Sequence, residues 1–286
     1  MDATTQTGAS PAEPIRARDV PDSTIVGTHV AEPGMSEPLR GAAAEPGAIP
    51  AKDAYFAARD LKAYYGDSYI VQGVSMDVAE GEIVALLGRN GAGKTSTLRA
   101  IARAAAPELR SGEVWLQGQS LHDKADWQAA NAGIQLVPED RRIIPGLTVE
   151  ENLDLARING APGWEYERVF DLFPRLKERR KQEGTTMSGG EQQMLAIARA
   201  LVRDIKLLLL DEPYEGLAPV VRHDIEQALL EVREAGITTI LVEQNAVAAL
   251  KLADSAVIMD TGEIAFRGTA AHVLGDEQLR HDYLAI

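Results

Sequence analysis

The segment Gly88–Thr95 reads Gly-Arg-Asn-Gly-Ala-Gly-Lys-Thr, which has the residue types and spacing of a phosphate-binding loop. It follows the apolar run Glu82–Leu87 and precedes a segment of helical periodicity. Glycines let backbone N–H groups wrap around phosphates, and the helix N-terminus adds a positive dipole. Lys94 is placed to reach the outer phosphates, and Thr95 offers a hydroxyl to Mg²⁺. A plain glycine-rich turn is the alternative, and the Lys-Thr pair argues against it. The predicted nucleotide contacts are Gly88, Arg89, Asn90, Gly91, Ala92, Gly93, Lys94, Thr95 and Ser96.

Two adjacent carboxylates follow a second apolar run. Leu207–Leu210 leads directly into Asp211, Glu212 and Pro213. In nucleotide hydrolases with a phosphate loop, an Asp at the end of such a strand holds Mg²⁺, and we assign Asp211 that role. Glu212 is then placed to orient or deprotonate the attacking water. A solvated acidic turn ended by Pro213 is the alternative, and it is disfavoured beside a phosphate loop.

A third segment, Ser188-Gly189-Gly190-Glu191, opens another helical stretch. Ser188 and Glu191 have the spacing of an ordinary capping box. The paired glycines favour a different interpretation, because they leave the helix N-terminus bare enough for a phosphate to approach its N–H groups. Two phosphate-seeking helix ends on one chain suggest a site that another subunit completes.

Short apolar runs alternate with amphipathic segments after Lys52, which is typical of an α/β fold. Helices are predicted from Lys94, after a capping box at Thr148–Glu151, after Ser188, over Val220–Glu234 and over Ala246–Leu252. The region that follows Thr148 is mostly helical to about Glu183. The predicted strands are Tyr55–Tyr64, Ile70–Val78, Glu82–Leu87, Glu113–Leu116, Ile134–Val137, Lys206–Leu210, Thr238–Val242 and Ser255–Met259.

Composition narrows the class of protein. The chain has 286 residues and a net charge of −14, and nucleic acid is an unfavourable partner for it because such affinity rests largely on clustered Lys and Arg. The absence of cysteine excludes disulfides and thiolate metal sites and fits a reducing compartment. The sequence contains neither an apolar stretch of ~18–20 residues that could span a bilayer nor a secretory signal. We therefore expect a soluble, cytoplasmic protein.

Residues 1–52 differ in composition from the rest. Pro, Gly, Ala, Thr and Ser crowd this segment without a sustained apolar period. Such a segment cannot bury enough surface to offset its ordering entropy, so we predict a disordered N-terminal tail over residues 1–52 and a folded domain over residues 53–286. A tether or partner-binding arm is one alternative interpretation, and a translation start at Met35 is another.

Together these segments resemble the ATP-binding-cassette (ABC) ATPases over about Ala54–Ile286. The similarity is closer still to the F-type ATP-binding subunit of branched-chain amino acid ABC importers. The resemblance implies a P-loop NTPase cassette with a RecA-like core, a small antiparallel β subdomain and an inserted helical subdomain at about residues 139–190. Further matching stretches are Val137–Glu139, Thr148–Leu153, Met187–Leu195, Gly216–Pro219, Leu241–Asn245 and Ala249–Asp254.

The resemblance also implies roles for single residues. Ser188, Gly189, Gly190 and Glu191 would bind the γ-phosphate of an ATP held by the opposite subunit of a head-to-tail dimer. Tyr65 would stack on adenine, with Tyr64 as the alternative and packing on the sheet as the non-functional interpretation.

Three positions, Glu139, Ala218 and Gln244, differ from the general cassette pattern while agreeing with the branched-chain subgroup, and Tyr214-Glu215 is a further departure. Ala218 replaces the Asp after the second acid. Glu139 replaces the Gln of the coupling loop and joins Thr95 and Asp211 as a metal-site residue. Gln244 replaces the switch His, and because a Gln cannot titrate it can only position the γ-phosphate or the water. The implied catalytic residues are Glu212, Lys94 and Gln244. Tyr214-Glu215 adds bulk and charge where small or apolar residues are more usual.

The function implied is that of an ATPase that uses ATP and Mg²⁺ to energise an ABC importer, with branched-chain amino acids as the expected substrates. Its partners would be membrane permease subunits, a second ATPase subunit and a periplasmic binding protein, so the chain would lie peripherally on the inner face of the cell membrane. Importers of urea, short amides, or aromatic and carboxylic acids remain alternatives. A soluble ABC ATPase without a transport role, or a GTPase, is an alternative of another class, although no guanine-reading N-K-x-D motif is present.

Overall fold

The computed structural model describes residues 54–158 and 160–284, and the tail that we predict over residues 1–52 lies outside this part of the chain. Its strands form one four-stranded and one six-stranded sheet. In chain order the strands are β1 (Phe56–Tyr65), β2 (Ser68–Val78), β3 (Ile83–Gly88), β4 (Glu108–Leu116), β5 (Gln119–Ser120), β6 (Ile134–Val137), β7 (Leu207–Asp211), β8 (Thr238–Val242), β9 (Ser255–Asp260) and β10 (Glu263–Thr269).

Helices cover the larger sheet and fill the region between β6 and β7. Thr148 caps the third of them by accepting a hydrogen bond from the backbone N–H of Glu151, as the capping box predicts. The helices are α1 (Lys94–Ile101), α2 (Asp126–Ala132), α3 (Val149–Arg157), α4 (Tyr166–Leu172), α5 (Pro174–Glu178), α6 (Gly189–Leu201), α7 (Pro219–Glu234), α8 (Ala246–Leu252), α9 (Ala270–Gly275) and α10 (Glu277–Leu284).

The six-stranded sheet has the order β10-β9-β3-β8-β7-β6. The five strands β9, β3, β8, β7 and β6 pair in parallel with their neighbours. Strand β10 lies at the edge of the sheet and pairs antiparallel with β9. The parallel strands are mostly apolar, because helices or a second sheet cover both of their faces. The predicted α/β class with a small antiparallel sheet is confirmed.

Side chains of the parallel strands alternate between two hydrophobic cores. Val84 and Leu86 of β3 lie in a core shared with α1 and the four-stranded sheet, where Phe56 and Leu98 are fully buried. The neighbouring residues of β3 point to the opposite face, into a core built with α6 to α8. Because a strand turns successive side chains to opposite faces, one short strand joins both cores and is held from both sides.

The predicted elements with the strongest apolar pattern agree best with the structure. Strands β6 and β8 and helix α8 have the predicted bounds, and β1, β2, β3, β7 and β9 differ from the predicted bounds by one or two residues. The sequence analysis missed β5, β10, α2, α9 and α10. Strand β10 is an edge strand without a buried residue, and α10 buries no side chain, so neither carries an apolar period. The bounds of a helical subdomain at 139–190 stay a prediction.

We expect Leu209→Ala to lower the free energy of unfolding by about 2–5 kcal/mol, because Leu209 is fully buried in β7, an inner strand of the larger sheet. Chemical unfolding followed by circular dichroism measures the change. Leu230→Ala is the matched control: Leu230 is 37% exposed on α7, and its loss should cost about 0.5 kcal/mol or less. Equal effects of the two variants would contradict this assignment of the core.

Candidate nucleotide site

Four neighbouring parallel strands end at the same edge of the larger sheet. Strands β3, β8, β7 and β6 lie side by side in that order. Ligand sites of open parallel sheets form at the carboxyl ends of the strands, so this edge is the expected place for chemistry. Strand β3 leads into the loop that starts at Gly88, and β8 leads into the segment with Gln244. Strand β7 ends at Asp211, next to Glu212, and β6 leads into the segment with Glu139. Sequence segments more than one hundred residues apart are thereby brought together.

Two glycines of the loop are required by close backbone contacts. A Cβ on Gly88 would lie 2.3 Å from the carbonyl oxygen of Met259, and its φ is +145°. A Cβ on Gly93 would lie 3.1 Å from the carbonyl oxygen of Ile70, with φ at +96°. Gly91 has φ at +82° and open space around its Cβ position. Only glycine adopts such φ values readily, so the loop conformation depends on these residues.

Lys94 is held inside the loop that it follows. Its Nζ donates hydrogen bonds to the carbonyl oxygens of Gly88 at 2.9 Å and Arg89 at 3.2 Å. Burial lowers the pKa of Lys94, while the nearby charges of Glu212 and Asp211 raise it. The ammonium group is therefore partly desolvated and close to the acidic pair, in a place where a phosphate would provide the missing counter-charge.

Helix α1 begins directly behind this lysine. Gly93 is its N-cap, and among the described residues no side chain caps the helix. The first N–H groups of a helix lack partners within the helix, and its dipole favours an anion at this end. Arg89 and Asn90 are exposed, whereas Ala92 packs in the core and Ser96 is largely buried. Ala92 can therefore meet a phosphate only through its backbone.

Asp211 and Thr95 meet across the edge of the sheet. The Thr95 hydroxyl donates a hydrogen bond of 2.8 Å to Asp211 Oδ1. The other carboxylate oxygen, Oδ2, is buried and has no hydrogen-bond partner among the described residues. Burial raises the pKa of Asp211, and the bond from Thr95 opposes that rise. An unpaired buried carboxylate oxygen next to a hydroxyl is a donor set that suits a small divalent cation.

Glu139 lies close enough to Asp211 for its charge to raise the pKa of that acid. Its own pKa is raised by burial and by a hydrogen bond with Glu215, while Arg99 lowers it. Glu139 is thus near the predicted metal site.

Glu212 and Gln244 are in direct contact. Gln244 Nε2 donates a hydrogen bond of 2.6 Å to Glu212 Oε2. The backbone of Glu212 has φ at +50°, a conformation that costs energy for a residue other than glycine and that clusters at functional sites. Its backbone N–H donates to the carbonyl oxygen of Val242 at 2.9 Å, which ties the end of β7 to the end of β8.

The segment at Ser188 forms the capping box that its spacing predicts. Ser188 Oγ donates to Glu191 Oε2 at 2.8 Å, and Glu191 Oε1 pairs with Arg179 Nε at 2.8 Å. A Cβ on Gly190 would lie 2.5 Å from Val221 Cγ1, so this glycine is needed for packing against α7. Ser188 and Gly189 are exposed at the start of α6, a helix of 13 residues. The capping interpretation holds within the chain, and the exposed end stays open to a ligand from outside.

Of the two tyrosines at the end of β1, only one presents a free ring. Tyr64 stacks on Tyr69 with ring centroids 4.6 Å apart, and the guanidinium of Arg110 lies 4.4 Å from its ring centre. Tyr65 is 39% exposed, and its hydroxyl accepts a hydrogen bond of 3.4 Å from Arg99 of α1. The structure therefore favours Tyr65 over Tyr64 as the ring that is available for stacking.

Two charged residues at this edge were given no role in the sequence analysis. Glu243 is 5% exposed, and burial raises its pKa to about 7. Arg99 lies near both Asp211 and Glu139, since its charge lowers the pKa of each. Glu243 lies within the stretch Leu241–Asn245 that carried the family resemblance, and an acid in an otherwise apolar strand end was the signal that could have identified it.

The loop, the lysine, the Thr-Asp pair and the second acid on one edge of a parallel sheet define the chain as a P-loop nucleotide hydrolase. The family model described as "ABC transporter" matches residues 71–215. With 43% identity over 227 residues, the chain is similar to the high-affinity branched-chain amino acid transport ATP-binding protein BraG of Pseudomonas aeruginosa, and the match covers 78% of this chain and 97% of that protein.

Two further comparisons agree. The probable branched-chain amino acid transport ATP-binding protein LivF of Archaeoglobus fulgidus is 36% identical, with 76% of this chain and 93% of that protein covered. A solved ATP-binding subunit of an ABC transporter is 29% identical at a TM-score of 0.69, with 81% of this chain and 96% of that chain covered. The chain belongs to the ABC transporter family, as a subunit that binds and hydrolyses ATP. The predicted cassette fold and the predicted ATPase activity are confirmed.

We expect Lys94→Ala to weaken ATP binding by about tenfold or more, because it removes the one charge that the loop encloses. Titration of the purified chain with ATP measures the dissociation constant. Lys206→Ala, at the approach to β7 and away from the loop, is the matched control and should leave the affinity unchanged. Unchanged ATP affinity in Lys94→Ala would contradict the assignment of the phosphate loop.

Proposed function

We propose that this chain hydrolyses ATP in the presence of Mg²⁺, in a pair of cassettes, and thereby drives the import of branched-chain amino acids through membrane subunits. The observation that carries the substrate class is the similarity to BraG over 97% of the length of that protein. The observation that carries the chemistry is the arrangement of Lys94, Asp211 and Glu212 on one edge of the sheet.

The donor set at Asp211 fits a magnesium ion. Asp211 Oδ2 and Thr95 Oγ1 would hold it, and Glu139 is a third oxygen donor nearby. Mg²⁺ is commonly bound through one or two carboxylates, with phosphates and waters as its other ligands, so few protein oxygens are needed. When bound, the ion would supply positive charge against the charge that develops on the phosphate oxygens.

The residues of this chain divide the remaining work. Lys94 binds the outer phosphates with an ammonium group that is already partly desolvated. The carboxylate of Glu212 accepts a proton from the water molecule that attacks the γ-phosphate. Gln244 holds Glu212 Oε2 by a 2.6 Å hydrogen bond, which leaves Oε1 as the oxygen that is free to receive the proton. A Gln at this position donates hydrogen bonds without itself titrating, so the base function rests on Glu212.

The exposed start of α6 supports the proposal of a paired site. Ser188 and Gly189 are exposed at this end. The N–H groups and the dipole at the start of a helix favour the binding of an anion there. In a head-to-tail pair this end would close over the γ-phosphate bound at the partner's loop. Each chain then supplies the loop and the base for one ATP and the helix end for the other.

A groove of about 650 Å³ lies between strand β6 and helices α1, α2 and α6. It supports docking on membrane subunits. Its charged lining residues are Arg99, Asp126, Arg141, Arg142, Arg199 and Arg203. A basic groove on a chain of net charge −14 favours an acidic occupant. Trp127 in the groove is 62% exposed, and Ile158 at the end of α3 is 67% exposed. The proposed occupant is an acidic cytoplasmic segment of the membrane subunit. Over residues 54–158 and 160–284, none of the helices combines the length and the apolar character that a bilayer span requires.

We expect Glu212→Gln to keep ATP affinity within about threefold and to lower kcat about 100-fold or more, because it removes the base and keeps the size of the side chain. Steady-state phosphate release measures the loss. With turnover blocked, ATP should hold two chains together, and light scattering with and without ATP measures the change in mass.

Glu234→Gln serves as the control for that variant, since Glu234 is exposed at the end of α7. It should show the turnover of the wild type. Near-normal turnover in Glu212→Gln would show that another group is the base, and a monomer in the presence of ATP would argue against the paired site.

The substrate class is tested by uptake in cells of the encoding organism that lack the chain. We expect the loss of high-affinity uptake of labelled leucine, isoleucine and valine, and its restoration by the wild-type chain but not by Glu212→Gln. Uptake of urea, a short amide and an aromatic amino acid should be unaffected. Loss of one of these activities with normal leucine uptake would replace the substrate class, and no transport defect would contradict the transport role.

A further inference from the structure

Glu243 is a buried acid at the carboxyl end of β8, next to Gln244. It is 5% exposed, and none of the roles described so far involves its side chain. A buried carboxyl group is costly unless its oxygens are hydrogen-bonded, so its partners are informative.

The side chain of Glu243 joins two strand ends. Its Oε1 accepts a hydrogen bond of 2.9 Å from the backbone N–H of Tyr214, three residues beyond the end of β7. Two other bonds connect the same segments: Glu212 N–H donates to the Val242 carbonyl oxygen at 2.9 Å, and Gln244 Nε2 donates to Glu212 Oε2 at 2.6 Å. Glu212 is therefore fixed on both sides, before it by the strand pairing and after it by Glu243.

The position of Glu212 needs such support. Its φ of +50° is unfavourable for a residue with a side chain, and a residue in that conformation persists only where its surroundings hold it. Tyr214 is 3% exposed, so water does not readily replace the bond that its N–H makes to Glu243. Loss of the acceptor would leave a buried donor unpaired in the turn that contains the proposed base.

The charges around Glu243 point to an acid with a role beyond packing. Burial, with a smaller contribution from the charge of Glu212, raises its pKa to about 7, although the backbone N–H groups of Tyr214 and Gln244 and the charge of Arg222 act in the opposite direction. An apolar side chain at this position would avoid both the burial of a carboxyl group and the repulsion from Glu212, but it would leave the Tyr214 N–H without its acceptor.

We propose that Glu243 is a positioning residue for ATP hydrolysis. Its carboxyl oxygen anchors the turn after Asp211 and so holds Glu212 and Gln244 where they can act on the water that attacks the γ-phosphate. This inference rests on the proposed role of Glu212 as the base. In this scheme Glu243 touches no phosphate. It acts through Glu212 and Gln244, whose positions depend on the anchored turn.

Two substitutions of similar size separate the hydrogen bond from the charge and the volume. Glu243→Gln keeps a carbonyl oxygen that can accept from Tyr214 N–H, whereas Glu243→Met fills the space without an acceptor. We expect Glu243→Met to lower kcat roughly tenfold or more through misplacement of the base, with the KM for ATP changed by less than about threefold because the phosphate loop is untouched. Glu243→Gln should restore kcat to within about threefold of the wild type.

Phosphate release by the full chain measures both constants, with Glu212→Gln assayed in parallel and the thermal midpoint of each variant recorded. If Glu243→Met does not fold, Glu243→Thr replaces it, since its hydroxyl is too short to take the place of the carboxyl oxygen. A normal kcat in Glu243→Met, an effect confined to KM, or an equal loss in Glu243→Gln would overturn the inference while leaving Glu212 as the base. High turnover in Glu212→Gln would instead overturn the proposed base and this inference together.

Discussion

The site depends on the parallel pairing of four neighbouring strands. Because β3, β8, β7 and β6 run in the same direction and in register, their carboxyl ends meet at one edge, and whatever follows each strand is delivered there. Asp211 pairs with Val242 in the register of β7 and β8, so the second acid and the residues after β8 face each other as a direct consequence. The hydrogen bond from Gln244 to Glu212 is the result of that register.

Burial at this edge explains why the charged groups there have perturbed pKa values. Lys94 and Asp211 are both largely removed from water, and burial shifts their pKa values in opposite directions, each toward the neutral form. The two charges oppose those shifts in each other, and Thr95 supports the ionised form of Asp211. Buried charges of this kind cost free energy unless each has a partner, and clusters of groups with perturbed pKa values are typical of functional sites.

The sequence predicted the parts of the site that follow from local pattern. The glycines at 88 and 93, Lys94 and the Asp-Glu pair after four leucines could be recognised because each motif lies within a few residues along the chain. What the pattern could not show was contact across strands. The bond from Tyr214 to Glu243, the availability of Tyr65 rather than Tyr64, and the packing of Gly190 against Val221 all depend on residues that only the fold brings together. Edge strand β10 and helix α10 were missed because they bury little, so selection for an apolar period does not act on them.

The two interpretations of Ser188 are compatible in this geometry. The hydroxyl of Ser188 donates to Glu191, and Arg179 neutralises the other oxygen of that carboxylate. If the exposed helix end meets a γ-phosphate, the hydroxyl can turn its proton to the phosphate, because Glu191 retains the pairing with Arg179 and the bond from the Ser188 N–H. The capping box thus keeps the helix end ordered in a single chain. On the proposed paired site it would allow the Ser188 hydroxyl to be redirected toward a nucleotide bound by a second chain. Binding of a partner's nucleotide would then require the rotation of one hydroxyl group rather than the ordering of a helix end.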